Sequence, residues 1–221
     1  MIEAVIFDMD GTIIDSESYW TLAEQEVFGS LGVKLDEAST QITAALTTEE
    51  VAEYWFERCA WEGLSKEEVA QRIVNRVAEL IQQDGNSLPG ALQAIIFFAK
   101  QNIQLALCTN SPTSLINVVL DKLNLHNTFA VHVSAEDEER GKPDAAVYKT
   151  ALKKLNKGAL QCLAIEDTPT GVKSATGAGI QTVAVSAVRN TQEFTNAGAM
   201  VHITTLKELN SYFLTHLQKQ P

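Results

Sequence analysis

Apolar residues run unbroken from Ala4 to Phe7, and the run stops at two acids one residue apart: Val5-Ile6-Phe7-Asp8-Met9-Asp10-Gly11-Thr12. A short apolar run with no polar member predicts a strand buried on both faces, as in a parallel sheet. Comparable runs recur at Ile103 to Cys108, Cys162 to Ile165 and Thr182 to Ser186, and weaker ones at Phe129 to Val133 and Met200 to Ile203. Between them the apolar residues adopt helical spacing. Leu88-Pro89-Gly90 opens a helix ending near Lys100. Leu115, Val118, Val119 and Leu123 share a face, as do Val147, Ala151, Leu152 and Leu155. A helix starts at Thr168-Pro169 and stops at Gly177-Ala178-Gly179, and Leu206, Leu209, Phe213 and Leu217 predict a last one. Strands alternating with helices predict βαβ units: an α/β fold with a parallel sheet and helices on both faces.

The stretch after the first strand breaks the alternation. Tyr19, Ala23, Val27 and Leu31 fit one face of a helix over Glu17 to Leu31. Thr47…Glu50 and Ser65…Glu68 are capping-box patterns, which start helices by satisfying their orphan N–H groups. The first opens a helix through Val51, Tyr54, Trp55 and Arg58. The second opens one whose face is Val69, Ile73, Val77, Leu80 and Ile81. Nothing from Ser16 to Gln83 reads as a strand. The pattern therefore predicts an all-helical insertion, residues 16–83, placed over the strand ends of a core made of residues 1–15 and 84–221.

Composition narrows the chemistry. A chain of 221 residues, 45% hydrophobic, buries a sizeable core. A formal net charge of -11 argues against nucleic acid, which needs a basic footprint. It leaves room for a small phosphorylated partner that needs only a few local cations. Cys59, Cys108 and Cys162 form neither a disulfide framework nor a zinc pattern, and the last two sit in apolar runs that predict buried thiols. No apolar run reaches membrane-spanning length, and the N-terminus enters a strand directly. The expectation is a cytoplasmic protein without signal peptide or membrane contact.

Ligands of open α/β sheets sit beyond the carboxyl ends of the strands. Alternation points Asp8 and Asp10 to one side there, and Gly11 permits the sharp turn. Paired carboxylates repel unless a proton or cation intervenes, and a hard divalent ion suits an oxygen-only site. The plainer account is an acidic turn. The second strand ends at Thr109-Asn110-Ser111, ahead of a helix; hydroxyls and free amides there suit an anion, although Ser111 alone could be an N-cap. The third strand ends in Glu166-Asp167, a metal ligand pair or merely a capping acid. Lys142, in Gly141-Lys142-Pro143, is a site cation or a solvated loop lysine.

Taken in chain order, these segments resemble the haloacid dehalogenase-like (HAD) phosphatase superfamily over essentially the whole chain. Asp8-Met9-Asp10-Gly11-Thr12 matches its first motif, Thr109 its second, Lys142 its third, and Glu166-Asp167 with Gly171 downstream its fourth. The insertion looks like that of members with a cap after the first motif, such as β-phosphoglucomutase and the hexitol-phosphate and 2-deoxyglucose-6-phosphate phosphatases. The resemblance implies a Rossmann-like core, Mg²⁺, and hydrolysis of a small phosphomonoester, a sugar or sugar-alcohol phosphate, through an aspartyl-phosphate. It implies Asp8 as nucleophile and Asp10 as acid and base. Thr109, Asn110 and Lys142 hold phosphate; Asp8, Asp10 by its carbonyl, and Asp167 hold the metal; Glu166, Ser111 and Gly11 support them. Members that cleave carbon–halogen or carbon–phosphorus bonds lack the second acid, so Asp10 favours ester chemistry. The alternatives are a phosphosugar mutase and a non-catalytic phosphate-binding regulator. Mutases and many related phosphatases carry a glycine and a basic residue near the start of the second cap helix, where this chain has Ala45-Leu46-Thr47. From Ser16 to Glu57 its only basic residue is Lys34, against nine Asp and Glu. Trp20, Trp55 and Trp61 could stack on a sugar or fill the core. A monomer is expected.

Overall fold

The computed structural model describes residues 1–36, 40, 42–43, 46–187, 191–211 and 213. Six parallel strands form one sheet: β1 (Ala4–Phe7), β2 (Gln104–Thr109), β3 (Val131–Ser134), β4 (Cys162–Glu166), β5 (Gln181–Val185) and β6 (Val201–Ile203). Their order is β3-β2-β1-β4-β5-β6. The chain steps outward on one side of β1, then crosses to its other side with β4. That reversal makes the carboxyl end of β1 the topological switch point, where ligands of such sheets bind.

Alternation divides the core into two layers. Val5, Phe7, Leu105, Leu107, Leu163 and Ile165 face one layer, with Ile95 and Phe98 of α4 (Ala91–Lys100) and Leu115 and Val119 of α5 (Thr113–Leu123). Ala4, Ile6, Ala106, Cys108, Cys162 and Ala164 face the other. There α6 (Ala146–Leu155) packs Val147, Tyr148 and Ala151, and α7 (Pro169–Gly177) packs Ala175. The sheet residues of the second layer are mostly small: Ala4, Ala106, Cys108, Cys162 and Ala164 beside Ile6.

The helical insertion folds as expected into α1 (Glu17–Ser30), α2 (Thr48–Arg58) and α3 (Lys66–Asp84). Both capping boxes form. Thr47 N–H donates to Glu50 Oε2 at 2.8 Å and Ser65 N–H to Glu68 Oε2 at 2.7 Å. Trp55 and Trp61 belong to the core: both are buried, and Phe28 packs between them with ring centroids 6.0 and 5.8 Å away. The segments leaving and re-entering the sheet domain run side by side. Asp15 N–H bonds Asn86 C=O at 3.1 Å, and Leu88 N–H bonds Ile13 C=O at 3.0 Å.

Two elements differ from expectation. A six-residue helix, α8 (Thr191–Asn196), went unforeseen because it buries only Phe194 and shows no apolar face to read. The expected last helix begins as a 3-10 turn, Leu206–Glu208, that buries Leu206. Leu217, like Ala45, lies outside the described residues.

Candidate active site

Strand register assembles the site. Phe7 stands opposite Leu107 on one side and Ile165 on the other, so β1, β2 and β4 run out at the same level. Asp8 therefore emerges between Cys108-Thr109 and Glu166-Asp167, and its N–H bonds Ile165 C=O at 3.0 Å. Gly11 then turns the chain at φ 72°. A side chain there would be strained, and a Cβ would stand 2.1 Å from Asp167 Oδ2. Gly11 is thus needed both for the turn and for the close approach of the fourth motif to the first.

Asp8, Glu166 and Asp167 each offer a carboxylate oxygen within 4.8 Å of the other two. Lys142 is buried rather than solvated. Its Nζ donates to Asp8 Oδ1 and Glu166 Oε1, both at 2.6 Å, and to Cys108 C=O at 2.9 Å. Tyr148 donates its hydroxyl to the same Glu166 oxygen. At the first turn of α7, a Cβ on Gly171 would lie 1.8 Å from Glu166 Oε2, so only glycine leaves space for that carboxylate. Neither Glu166 nor Asp167 caps α7: Thr168 does, its hydroxyl accepting from Gly171 N–H.

Three carboxylates and one ammonium share this buried space. Burial, only partly opposed by Lys142, lifts Asp8 to about 7. Burial also raises Asp167 well above the ordinary range, and the charges of Asp8 and Glu166 add to the effect. Burial works against the charge on Lys142, but Asp8 and Glu166 outweigh it and hold the ammonium protonated. The excess negative charge and the all-oxygen donor set fit a hard divalent cation such as Mg²⁺.

Asp10 stands apart from that trio. Ser16 Oγ donates to its Oδ1 at 2.6 Å and Trp20 Nε1 at 3.1 Å. Ser111 Oγ donates to its Oδ2 at 2.7 Å, and Thr109 Oγ1 lies 3.5 Å from the same atom. Ser111 is therefore no N-cap; Pro112 holds that position without a side-chain bond. Asn110 braces the lysine loop, its Oδ1 accepting from Lys142 N–H at 2.8 Å and its Nδ2 donating to Lys142 C=O at 3.3 Å. Sequence reading assigned Ser16 no role, offered Trp20 only as a sugar-stacking or core residue rather than a partner of Asp10, and assigned Tyr148 no role. A signal existed for the first two: they lie one helical turn apart at the start of the insertion, so they share a face.

A family model described as haloacid dehalogenase-like hydrolase matches residues 2–179. Hexitol phosphatase B of Escherichia coli (strain K12) is 32% identical over 211 residues, covering 95% of this chain and 95% of that protein. The phosphorylated carbohydrates phosphatase of Thermotoga maritima is 28% identical over 211 residues, covering 95% and 97%. Among solved structures, β-phosphoglucomutase from Clostridium difficile superposes with a TM-score of 0.83 at 24% identity, over 98% of this chain and 96% of that one. That last likeness is one of fold.

Proposed function

The chain belongs to the haloacid dehalogenase-like hydrolases and is a phosphoric monoester hydrolase. From that premise we propose a Mg²⁺-dependent phosphatase of a sugar or sugar-alcohol phosphate that works through an aspartyl-phosphate. Residues 16–83 form its cap and residues 1–15 and 84–221 its catalytic core. The observation that carries the reading is the buried Asp8–Lys142–Glu166–Asp167 group, with Asp10 held separately at its mouth.

Asp8 is the nucleophile. Its carboxylate oxygen bonds to phosphorus as the phosphorus–oxygen ester bond breaks, splitting one hard displacement into two. Asp10 gives its proton to the departing alkoxide, then takes one from the water that attacks the aspartyl-phosphate and frees inorganic phosphate. Ser16 and Ser111 can donate to Asp10 or accept from it, so their contacts survive both protonation states. Trp20, a donor only, keeps the carboxyl turned toward the mouth. Thr109, the Asn110 amide and Lys142 hold the equatorial oxygens while charge shifts, and one such donor is worth roughly 2.7–4 kcal/mol. Asp8, Asp167 and the Asp10 carbonyl would hold Mg²⁺, which offsets the repulsion between the phosphate and the nucleophile. Glu166, tied to Lys142 and Tyr148, keeps the ammonium aimed at Asp8.

Hydrolysis is favoured over phosphate migration because the described cap cations are engaged elsewhere or exposed. Lys66 pairs with Glu53 and Arg76 with Glu26, each at 2.6 Å. Arg58 stacks on the Tyr54 ring, and Lys34 and Arg72 are exposed. The reading includes a cytoplasmic monomer that binds no nucleic acid. Among the described residues, no helix is long and apolar enough to cross a membrane. The test is release of inorganic phosphate from a panel of phosphomonoesters with and without Mg²⁺. Asp8→Asn should abolish release and phosphoenzyme formation while the fold persists. Turnover surviving in a clean Asp8→Asn preparation would remove Asp8 as nucleophile.

A further inference from the structure

Trp20, Glu24 and Phe28 form one i, i+4 row along α1. Trp20 reaches Asp10, and Phe28 is fully buried between Trp55 and Trp61. Glu24 stands between these two inward residues. Its neighbours on the same arc of the helix are Ala23, Val27 and Leu31, all part of the cap's apolar packing. The solvent face of α1 is elsewhere, at Thr21, Leu22, Gln25 and Glu26. A carboxylate on the apolar arc needs a partner, yet Glu24 has no hydrogen bond or ion pair among the described residues. Burial alone raises it to about 7.

Its position says what the partner is. Four residues of helix rise about 6 Å, so Glu24 lies one turn beyond the Trp20 contact, deeper in the cap. Asp10 meets the leaving oxygen, so the rest of the leaving group extends from Asp10 into the cap. Across the mouth, Thr47 rests on the core: a Cβ on Gly141 would stand 3.0 Å from the Thr47 methyl and 2.8 Å from Asn110 Oδ1. Cap thus meets core at Trp20–Asp10 and at Thr47–Gly141, and the half-buried Glu24 lies one turn along α1 from the first of these contacts. A carboxylate there accepts hydrogen bonds from hydroxyls and repels a second phosphate.

We propose that Glu24 is a specificity-determining residue that accepts hydrogen bonds from hydroxyls of the leaving group, so that the enzyme takes monophosphates whose leaving group is uncharged and polyhydroxylated and rejects bisphosphates. This rests on the phosphatase reading above. The test compares kcat/KM for a hexitol phosphate with that for p-nitrophenyl phosphate, which presents no hydroxyls, in wild type, Glu24→Gln and Glu24→Ala. Melting curves establish folding. Wild type should favour the hexitol phosphate. Glu24→Ala should lower the preference roughly 10- to 100-fold, the value of a charge-assisted hydrogen bond, chiefly through KM, with Glu24→Gln between. Parallel losses on both substrates, or an unchanged ratio, would make Glu24 structural and overturn the inference. So would a wild type that turns over p-nitrophenyl phosphate but does not favour the polyol, and that result would leave the phosphatase reading intact. No release from any ester would sink the reading underneath.

Discussion

Lys142→Met removes the cation buried between Asp8 and Glu166, and its consequence follows from the contacts it makes. Lys142 Nζ sits 2.6 Å from a carboxylate oxygen of Asp8 and 2.6 Å from one of Glu166, and all three side chains are at most 9% exposed. Removing one member of a buried ion pair costs about 3–5 kcal/mol, because the remaining charge stays desolvated and unpaired. At about 2–4 °C per kcal/mol for a chain of this size, the metal-free variant should melt roughly 6–20 °C below wild type. The measurement is circular dichroism at pH 8, above the value of about 7 to which burial lifts Asp8. Two further outcomes are specific to the charge argument. Millimolar Mg²⁺ should raise the melting temperature of Lys142→Met more than that of wild type, since the ion replaces the missing charge. Adding Glu166→Gln to Lys142→Met should restore stability, because it deletes one of the stranded carboxylates; the two changes are in direct contact and do not add. A metal-free Lys142→Met that melts within about 2 °C of wild type would refute the reasoning. So would a double variant weaker than the single one.

Gly11→Ala should raise the Mg²⁺ concentration needed for half-maximal activity at least roughly tenfold, because a Cβ 2.1 Å from Asp167 Oδ2 must push that ligand further than the ~0.2 Å tolerance of a metal site. Gly32→Ala is the control: it carries the same strain at φ +77° with nothing within 4 Å, so it should lose stability and keep its metal requirement. Glu24→Gln should melt above wild type at pH 8, and the gap should narrow toward pH 5. Burial pushes the folded carboxyl up to about 7, above the ordinary glutamate range, so folding favours its protonated form and stability falls as pH rises from that range through 7. The shift corresponds to at most about 3 kcal/mol. Equal melting temperatures at pH 8 would show that the carboxylate is solvated.

Much of this protein is written locally. Each apolar run became a strand, because an unbroken apolar tetrapeptide such as Ala4 to Phe7 has nowhere to go but between two layers. Both capping boxes formed, because the donors and acceptors involved lie three residues apart. The acids and hydroxyls at the strand ends were legible for the same reason, since a strand's direction places its last residue. What the side chains do was settled only by packing. Lys142 and Asp8 are 134 residues apart, and no local pattern separates a loop lysine in water from one locked between two carboxylates. Ser111 reads as a cap until its hydroxyl is seen on Asp10, 101 residues away. Trp20, Trp55 and Trp61 are one residue type with two fates. Trp55 and Trp61 close on Phe28, while Trp20 turns its N–H to the catalytic mouth. Periodicity records which face of an element is apolar. Which distant groups meet across that face depends on sheet order and on how the cap settles over the strand ends.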